Sequence, residues 1–520
     1  MPYSFSVDRI LGDRSFAEIG YPTLAVADGR RGLLAVAGTH GFSDHPAVGV
    51  YDTATLSCRA LIRSRDVVQA MAFHPTLPLL AVGTGSYDGG YFFSGDLLLL
   101  HLETGASISA FEHQDGRQVL ELEWLDEQRL RVLMAPPDDW QDKEAHTHGH
   151  TAVVRRSDWS LVPPRSITPN ELAGPRVPAP RPDGRAAAYR LVTELGPDWE
   201  PRLAVQAVEE LSDGRILATL GGVQLECWLP SGERAWAVPD EDGGREIAVA
   251  RDESSAWVSL VRPERHDRRP QSVVRLSLAD GAQVDQIAPS GYVSLSSAAD
   301  GEPALAPAGY WVRGVPVNGR APLRVRNASC TWFLSYVKQG GTRRSHPGVP
   351  WVATAELKSG RESGRPVEPA QKDVRRLFPY SWVPEEEHFG GPGVEAADGS
   401  LVHAGRVFRQ RRQPGDSFVV RREASDGSPR WVFRTDRSAT ALTADASTVF
   451  TAFDGGEIVA LSLDDGTVLW RDHLTLGDAS VIPTALTVTP SGRLLVGTRD
   501  GRILVCSAAT RRPLSASVGE

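Results

Sequence analysis

Short apolar stretches alternate with turns rich in Asp, Gly and Pro along most of the chain. The pattern is most regular near the C-terminus, where a turn–strand–turn–strand pattern over residues 451–470 recurs over residues 497–514. Aligning Gly456 with Gly501 gives an offset of 501 − 456 = 45 residues. Repeats of roughly 40 to 45 residues built from four short strands are typical of propeller blades. The sequence therefore predicts an all-β fold, a single β-propeller domain of four-stranded antiparallel blades over residues 1–520.

Hairpin turns like the one at Asp465 and Gly466, which lies between two strands of one repeat, indicate the number of blades. The weakest of the candidate turns are those at Asp158 and Gly360. Because propellers of seven and eight blades are far commoner than those of nine, we predict eight blades, within a range of seven to nine. The nine candidate turns lie near Ala54, Gly105, Asp158, Gly232, Gly281, Gly360, Gly427, Gly466 and Arg511.

Three stretches interrupt the rhythm of strands and are predicted to be loop insertions, near 136–150, 162–182 and 358–393. The second of these contains too many prolines for a central strand, so we expect a surface connection there. After it, the rhythm of strands is expected to resume with a strand over Ala186–Val192. Long insertions in a compact fold are either functional or without regular structure.

The charge balance is mildly acidic, with 56 Lys and Arg against 65 Asp and Glu and a net charge of −9. This balance argues against a protein that binds nucleic acid or an anionic membrane nonspecifically. Arginine clusters at 262–269, 409–412 and 421–422 are interpreted as solvated ion-pair residues rather than a nucleic-acid site. Only 4 of the 56 basic residues are lysines, a bias typical of a GC-rich bacterial genome.

Location and cysteine chemistry are inferred from the remaining composition. The four cysteines lie far apart without a Cys-x-x-Cys pair, so they are expected to be small core residues rather than zinc or redox ligands. Residues 1–10 lack the pattern of a secretory signal, and the longest apolar run, Leu97–Leu100, is far too short for a membrane span. We therefore expect a cytoplasmic protein with no membrane partner.

A glycine followed four positions later by tryptophan occurs at three predicted turns. Glycine permits the positive φ of a tight hairpin, and the indole can then lie flat against the neighbouring blade. The run over 460–470 resembles the tryptophan-docking repeat of the quinoprotein, or PQQ-like, propellers, although Ser462 replaces the usual Asp. The stretch over 71–83 resembles a degenerate WD40 repeat. The three glycine–tryptophan pairs are Gly232 and Trp236, Gly427 and Trp431, and Gly466 and Trp470.

The resemblance to the PQQ-like propellers does not imply the quinone cofactor for this chain. Members of that group that bind the quinone are exported, and those that oxidise alcohols carry adjacent cysteines and a calcium or lanthanide site. This sequence has no adjacent cysteines. Neither a Gly-x-Ser-x-Gly motif, nor a phosphate-binding loop, nor a dinucleotide motif after a strand stands out. We therefore expect no organic cofactor.

One histidine cluster suggests chemistry. His146, His148 and His150 would project from one face if their segment were extended. Three imidazoles in that arrangement can bind zinc or a similar divalent metal. The alternative is a solvent-exposed polar loop without a ligand, since nothing in the sequence fixes the shape of the segment.

Aromatic residues in the insertion near 358–393 are candidate contacts for a protein partner. Exposed aromatic side chains on loops are typical anchors at interfaces. The alternative is that they pack the insertion onto the propeller. The residues are Phe378, Tyr380, Trp382 and Phe389.

Two classes of function remain open. The first is a non-enzymatic propeller scaffold whose loop insertions bind a protein partner, a task that suits a closed sheet framework with variable loops. The second is a metal-dependent hydrolase or lactonase-like propeller, for which the histidines near His146 are the candidate ligands. The identity of a partner is not encoded in any motif of the sequence.

Overall fold

Four-stranded antiparallel sheets account for nearly all of the regular structure. Eight such sheets and one six-stranded sheet are present in the described part of the chain, together with a single α-helix. The prediction of an all-β propeller with four-stranded antiparallel blades is confirmed, and the number of sheets lies within the predicted range. The computed structural model describes residues 3–39, 46–114, 117–179, 183–241, 243–260, 272–287, the separate strands between 293 and 395, residue 396, and residues 398–408, 413–423, 428–477 and 479–510.

The chain divides into two compact units. The three-sheet unit comprises Asp13–Arg202 and Thr475–Ser480, and the six-sheet unit comprises the rest of the chain. The prediction of one domain over residues 1–520 stays a prediction. Within the described residues, no helix has the length and apolar character needed to cross a membrane.

The three-sheet unit also contains a 3-10 turn at Trp159–Leu161, the helix α1 at Arg185–Leu195, and two short hairpins, Ser86–Tyr87 with Phe93–Ser94 and Thr475–Leu476 with Ala479–Ser480. Sheet 1 consists of Tyr21–Asp28, Leu33–Thr39, Ala47–Asp52 and Cys58–Arg63; sheet 2 of Val68–Phe73, Leu79–Thr84, Leu97–His101 and Ser107–Ser109; sheet 3 of Val119–Trp124, Arg129–Met134, His148–Arg155 and Arg176–Pro178.

The six-sheet unit begins in chain order with sheet 4 and ends with sheet 9, whose outermost strand is the N-terminal one. Sheet 4 consists of Val205–Glu210, Ile216–Leu220, Val223–Trp228 and Arg234–Pro239; sheet 5 of Gly244–Val249, Ser255–Leu260, Val273–Ser277 and Gln283–Ile287; and sheet 6 of Val293–Ser297, Pro303–Pro307, Leu323–Arg326, Thr331–Val337, Val349–Glu356 and Asp373–Arg376. Sheet 7 consists of Glu387–Glu395, Leu401–Phe408, Ser417–Arg422 and Pro429–Thr435; sheet 8 of Ala439–Ala444, Thr448–Phe453, Glu457–Ser462 and Val468–His473; and sheet 9 of Pro483–Val488, Leu494–Thr498, Ile503–Thr510 and Tyr3–Leu11. A short hairpin pairs Trp311–Val312 with Val315–Pro316.

The sheets of the six-sheet unit adjoin in chain order, and sheet 9 contacts sheet 4, so the series closes on itself. Two threonine hydroxyls of sheet 9 donate to backbone carbonyls of sheet 4 at this closure: Thr484 to Val205 and Thr487 to Val208, each at 2.7 Å. The N-terminal strand completes sheet 9 by pairing with Ile503–Thr510. Closure of this kind leaves every sheet of the series with a neighbour on each face, so that only the short edges of the sheets are left unpaired.

The second strand of most sheets is largely buried, because neighbouring sheets cover both of its faces. The second strand of sheet 3 is an exception, since its Arg129 and Arg131 are exposed. Leu79–Thr84 and Leu494–Thr498 are buried at every position. Outer strands are mostly exposed, as in Pro429–Thr435, where Trp431 and Thr435 alone are buried. This gradient from inner to outer strands explains why the inner strands were the clearest in the sequence pattern.

Tryptophan docking joins neighbouring sheets of the six-sheet unit. The indole of Trp431 in sheet 7 lies against Gly466 in the turn of sheet 8, where an added Cβ would come within 2.7 Å of the ring. Its Nε1 donates to the Leu463 carbonyl at 2.8 Å. Trp236 of sheet 4 lies in the same way against Gly281 of sheet 5. Both glycines have positive φ, so the interpretation of the glycine–tryptophan spacing is supported at these two contacts.

A cluster of charged residues connects sheet 7 to sheet 8. The buried Arg421 donates to Asp398 at 2.7 Å, to the Ser400 hydroxyl at 2.8 Å and to the Leu463 carbonyl at 2.5 Å. Burial disfavours the charged Asp398 carboxylate, but hydrogen bonds from Ser400 and Arg430 outweigh this cost and hold the pKa of Asp398 well below its ordinary value.

The two ends of the three-sheet unit are covered by non-sheet segments, and this corrects the prediction of a strand over Ala186–Val192. That stretch belongs to α1, whose Ala188 and Val192 are buried while most of the other helical positions are not. Val192 packs with Trp199 and the apolar side chains of sheet 1. The strand prediction was wrong because three consecutive alanines favour a helix, and buried residues four apart lie on one helical face.

The proline-rich segment near 162–182 contributes to the core at the other end. Val162, Ile167 and Leu172 are buried with the apolar side chains of sheets 2 and 3. Arg176–Pro178 then forms the outermost strand of sheet 3, a position where the missing N–H of proline is tolerated. The segment is therefore a packed cover for sheet 3 as well as the predicted surface connection.

A buried histidine organises the turn between the first two strands of sheet 2. His74 Nδ1 accepts the backbone N–H groups of Thr76 and Leu77 at 3.2 and 2.9 Å. Its Nε2 therefore carries the proton and donates to the Glu127 carbonyl at 3.0 Å. Burial lowers the pKa of His74, because the charged imidazolium would be desolvated.

Candidate functional site

Two loops of the three-sheet unit meet beside sheets 2 and 3. One is the hairpin of residues 86–94, and the other is the loop of residues 135–147 that leads into the third strand of sheet 3. Phe93 N–H donates to the Pro137 carbonyl at 3.1 Å, and Asp139 N–H donates to the Tyr91 carbonyl at 3.0 Å. These backbone bonds bring together three exposed side chains, Tyr91, Phe92 and Trp140, which we call the aromatic platform.

The Asp88 carboxylate fixes the shape of the hairpin turn. Its Oδ1 accepts the backbone N–H groups of Gly90, Tyr91 and Phe92 at 2.7, 2.8 and 3.0 Å. The hydrogen bond from Gly90 is the main cause that lowers the pKa of Asp88, since each donor stabilises the charged form. Gly89 supplies the positive φ that this turn requires. Tyr91 and Phe92 are therefore held in position by the local sequence Asp-Gly-Gly.

Buried residues support the platform from below. Phe93 is fully buried and packs with Ala135 and Ala145 of the second loop, with Tyr87 against the same cluster. The loop is also held by Arg176, which donates to both carboxylate oxygens of Asp142 at 2.9 Å. The buried Phe93 and the ion pair between Arg176 and Asp142 hold the loops at separate points, so both loops are fixed to the sheets.

A tyrosine, an aspartate and a histidine form a hydrogen-bonded group beside the platform. Tyr87 donates its hydroxyl to Asp139 Oδ2 at 2.7 Å, and His146 Nε2 lies 3.2 Å from the same oxygen. The hydrogen bond to Asp139 raises the pKa of Tyr87 to about 12. The His146 ring meets the rings of Tyr87 and Phe93 edge to face. This group ties the two loops together by hydrogen bonds.

The platform exposes a large share of its apolar surface. Tyr91 is 49% exposed, Phe92 63% and Trp140 59%. The rings of Tyr91 and Trp140 lie 4.7 Å apart with an angle of 69° between their planes. Exposed aromatic residues gathered on one surface mark an interaction site more strongly than scattered ones.

The three predicted histidine ligands lie next to this site, but each has its own partner. His148 and His150 alternate on one strand as expected for an extended segment, whereas His146 lies in the turn before it. His148 Nδ1 is 3.1 Å from the Thr147 hydroxyl, and His150 Nδ1 is 3.3 Å from the Gly174 carbonyl. Among the residues that the structure describes, no group of three or more His, Cys, Asp or Glu side chains is arranged to hold a metal. The divalent metal site stays a prediction.

Of the four aromatic residues predicted to bind a partner, the structure describes one. Phe378, Tyr380 and Trp382 lie outside the described residues. Phe389 lies in the first strand of sheet 7, where its backbone is opposite Arg406. Their role in partner binding stays a prediction. Sequence reasoning missed Tyr91 and Phe92, although the Asp-Gly-Gly turn before them was a local signal of an exposed hairpin.

Of the three arginine clusters, the structure describes only residues 421–422. The clusters at 262–269 and 409–412 lie outside the described residues. In the third cluster, Arg421 is buried among the partners described above. Its hydrogen bonds to Asp398, Ser400 and Leu463 account for its charge within the fold. It is therefore a structural residue and is not available to bind nucleic acid.

The four-stranded antiparallel sheets, their order and the tryptophan docking are those of β-propeller blades. Residues 380–514 match the model of a family described as "Outer membrane protein assembly factor BamB", a PQQ-like repeat family. This confirms the resemblance seen in the sequence. No curated protein matches the chain in sequence.

Several solved structures are similar to this chain at low sequence identity. The extracellular domain of a putative one-component system, BT4673 from B. thetaiotaomicron, is 11% identical with a TM-score of 0.40; the match covers 95% of this chain but only 58% of that one. The WD40 propeller domain of Doa1 is 10% identical with a TM-score of 0.36, covering 59% of this chain and 93% of that one. BamB from Moraxella catarrhalis is 12% identical with a TM-score of 0.28, covering 97% and 100%.

The predicted cytoplasmic location is wrong. The family model that matches residues 380–514 is described as an outer membrane protein assembly factor, and this description contradicts the expectation of a cytoplasmic protein. The expectation was drawn mainly from the composition of residues 1–10. A propeller buries its apolar strands in the same way in either compartment, so neither those residues nor the fold determines where the protein resides.

Proposed function

We propose that the chain is a non-enzymatic β-propeller that binds a protein partner, and that the aromatic platform is a contact surface for that partner. The observation that carries the proposal is the exposure of Tyr91, Phe92 and Trp140 on two loops that hydrogen bonds hold in place. Tyrosine and tryptophan dominate the binding energy of protein interfaces, where a few large side chains contribute most of the affinity.

The fixed geometry of the loops favours binding. Ordering a flexible side chain at an interface costs roughly 0.5–1.5 kcal/mol, and a side chain that is already held avoids much of that cost. Asp88 restrains the turn that carries Tyr91 and Phe92. Asp138 Oδ1 accepts the backbone N–H of Trp140 at 3.0 Å. The platform therefore offers a preorganised apolar surface to a partner.

Affinity capture of partners from an extract of the native host tests the proposal. The bait proteins are the wild-type chain, Trp140→Ala, Phe92→Ala and the control Leu161→Ser, which alters a 74%-exposed apolar side chain of the same unit outside the platform. For a partner recovered with the wild type, each platform variant is expected to weaken binding by about 30-fold, corresponding to about 2 kcal/mol.

The control variant should bind that partner with wild-type affinity. Thermal unfolding of each variant verifies that the fold is retained, which is expected because all three positions are exposed. Recovery of every partner at the wild-type level by Trp140→Ala and Phe92→Ala would show that the platform is not the contact surface.

A further inference from the structure

The two loops that carry the aromatic platform are acidic. Residues 86–94 and 135–150 contain five carboxylates and one lysine, Lys143. One of the five, Asp142, is neutralised by its bidentate bond with Arg176. The Glu144 side chain is 64% exposed, and it lies 3.6 Å from Arg176 and 3.8 Å from His148. The surroundings of the exposed rings therefore keep an excess of negative charge.

The ring geometry of the platform suits a cation. The ring planes of Tyr91 and Trp140 meet at an angle of 69°, so the two rings form a corner rather than a stack. A guanidinium or ammonium group is attracted to the face of an aromatic ring, most strongly to tryptophan, when it lies within about 6 Å of the ring centre. Neighbouring carboxylates strengthen the attraction, because they add a favourable charge interaction at the surface.

Other kinds of partner segment fit these charges less well. An acidic segment would be repelled by the carboxylates around the platform. A purely apolar or proline-rich segment would use the rings but would gain nothing from the charge around them. A segment that carries arginine or lysine uses both features of the site.

We infer that the aromatic platform receives an arginine or lysine side chain of a partner protein, with the cation over Trp140 and Tyr91 and with Asp138 and Glu144 near its charge. This inference rests on the proposed function, since it names the chemistry of the partner at the same surface. In this arrangement, the positive charge of the partner residue determines which partners bind, and the aromatic rings provide most of the contact area.

Fluorine NMR of the full chain labelled with 5-fluorotryptophan tests the charge requirement directly. The Trp140 resonance is identified by its loss in Trp140→Phe, and the fully buried Trp159 serves as an internal reference. The probes are N-acetyl-argininamide and N-acetyl-citrullinamide, which have nearly the same shape and differ in charge. We expect the arginine probe to shift the Trp140 resonance in a saturable manner, and the citrulline probe to leave it in place.

Two further measurements define the role of the carboxylates. The variant Asp138→Asn/Glu144→Gln should weaken the arginine probe by about threefold or more, because each exposed ion pair contributes a fraction of a kcal/mol. Addition of about 0.5 M NaCl should weaken it as well, since salt screens exposed charges. No shift with the arginine probe, or an equal shift with the citrulline probe, would overturn the inference, whereas the capture experiment alone decides whether the platform binds a partner.

Discussion

Tryptophan docking can be tested by adding a single methyl group at Gly466. The Gly466→Ala variant places a Cβ about 2.7 Å from the Trp431 ring, at a residue with φ of +73°. The positive φ costs an alanine roughly 1–2 kcal/mol, and the steric overlap with a packed ring costs roughly 1–3 kcal/mol more. We expect the free energy of unfolding of the six-sheet unit to fall by the sum of these two effects.

A matched variant separates the two effects. Gly492 has φ of +79° and no atom within 4 Å of an added Cβ, so Gly492→Ala carries the backbone strain without the overlap. Both substitutions restrict the unfolded chain equally, and this contribution cancels in the comparison. Urea denaturation followed by tryptophan fluorescence should show Gly466→Ala to be less stable than Gly492→Ala by about 1–3 kcal/mol.

A double-mutant cycle then assigns the overlap to the indole. Trp431→Ala alone is expected to cost about 3–5 kcal/mol, because it empties a buried site and removes the hydrogen bond to Leu463. In the Trp431→Ala background, Gly466→Ala should cost no more than Gly492→Ala does, since the ring it would meet is gone. If Gly466→Ala and Gly492→Ala were equally stable, or if removing the indole left their difference unchanged, the docking contact would not be the source of the stability.

Two other predictions concern buried polar groups. The pKa of His74 is lowered in the fold, so the unfolded chain binds more protons and stability should fall as pH drops below the unperturbed value of about 6.5. The stability difference between wild type and His74→Asn, measured by thermal unfolding from about pH 8 to about pH 5, should shrink accordingly; a constant difference would contradict this. Arg421→Met should lower the free energy of unfolding by about 2 kcal/mol in urea, because the Leu463 carbonyl loses its charged donor and Asp398 loses one of the two arginines that bind it. The exposed Arg434→Met is the control, and equal effects would refute the reasoning.

The repeat architecture was predictable because its signals are local. A glycine with positive φ in a hairpin is decided by a few neighbouring residues, and Gly232, Gly281 and Gly466 all have that conformation. The apolar inner strands are equally local, since each is buried on both faces. The helix over Ala186–Val192 was missed for the opposite reason. Its alanines are compatible with a short strand or a helix, and the packing of Val192 and Trp199 against sheet 1 decides between them.

The candidate site was harder to predict because it depends on a contact between distant parts of the chain. The loop near 136–150 was predicted as an insertion suited to partner binding, and it does carry Trp140. Its proximity to the hairpin of residues 86–94 comes from the pairing of Phe92 with Asp138 and of Phe93 with Pro137. No repeat, period or motif links these residues, so sequence reasoning placed the aromatic contacts in the later insertion alone.

The run Tyr91-Phe92-Phe93 shows how one carboxylate decides which of three aromatic residues is exposed. Strand alternation would place Tyr91 and Phe93 on one face and Phe92 on the other. Instead, Tyr91 and Phe92 are both exposed and Phe93 is fully buried. Asp88 binds the backbone of residues 90–92 as a turn, so the strand begins only at Phe93. The same hydrogen bonds that form the turn therefore keep two rings in solvent, where they remain available to a partner.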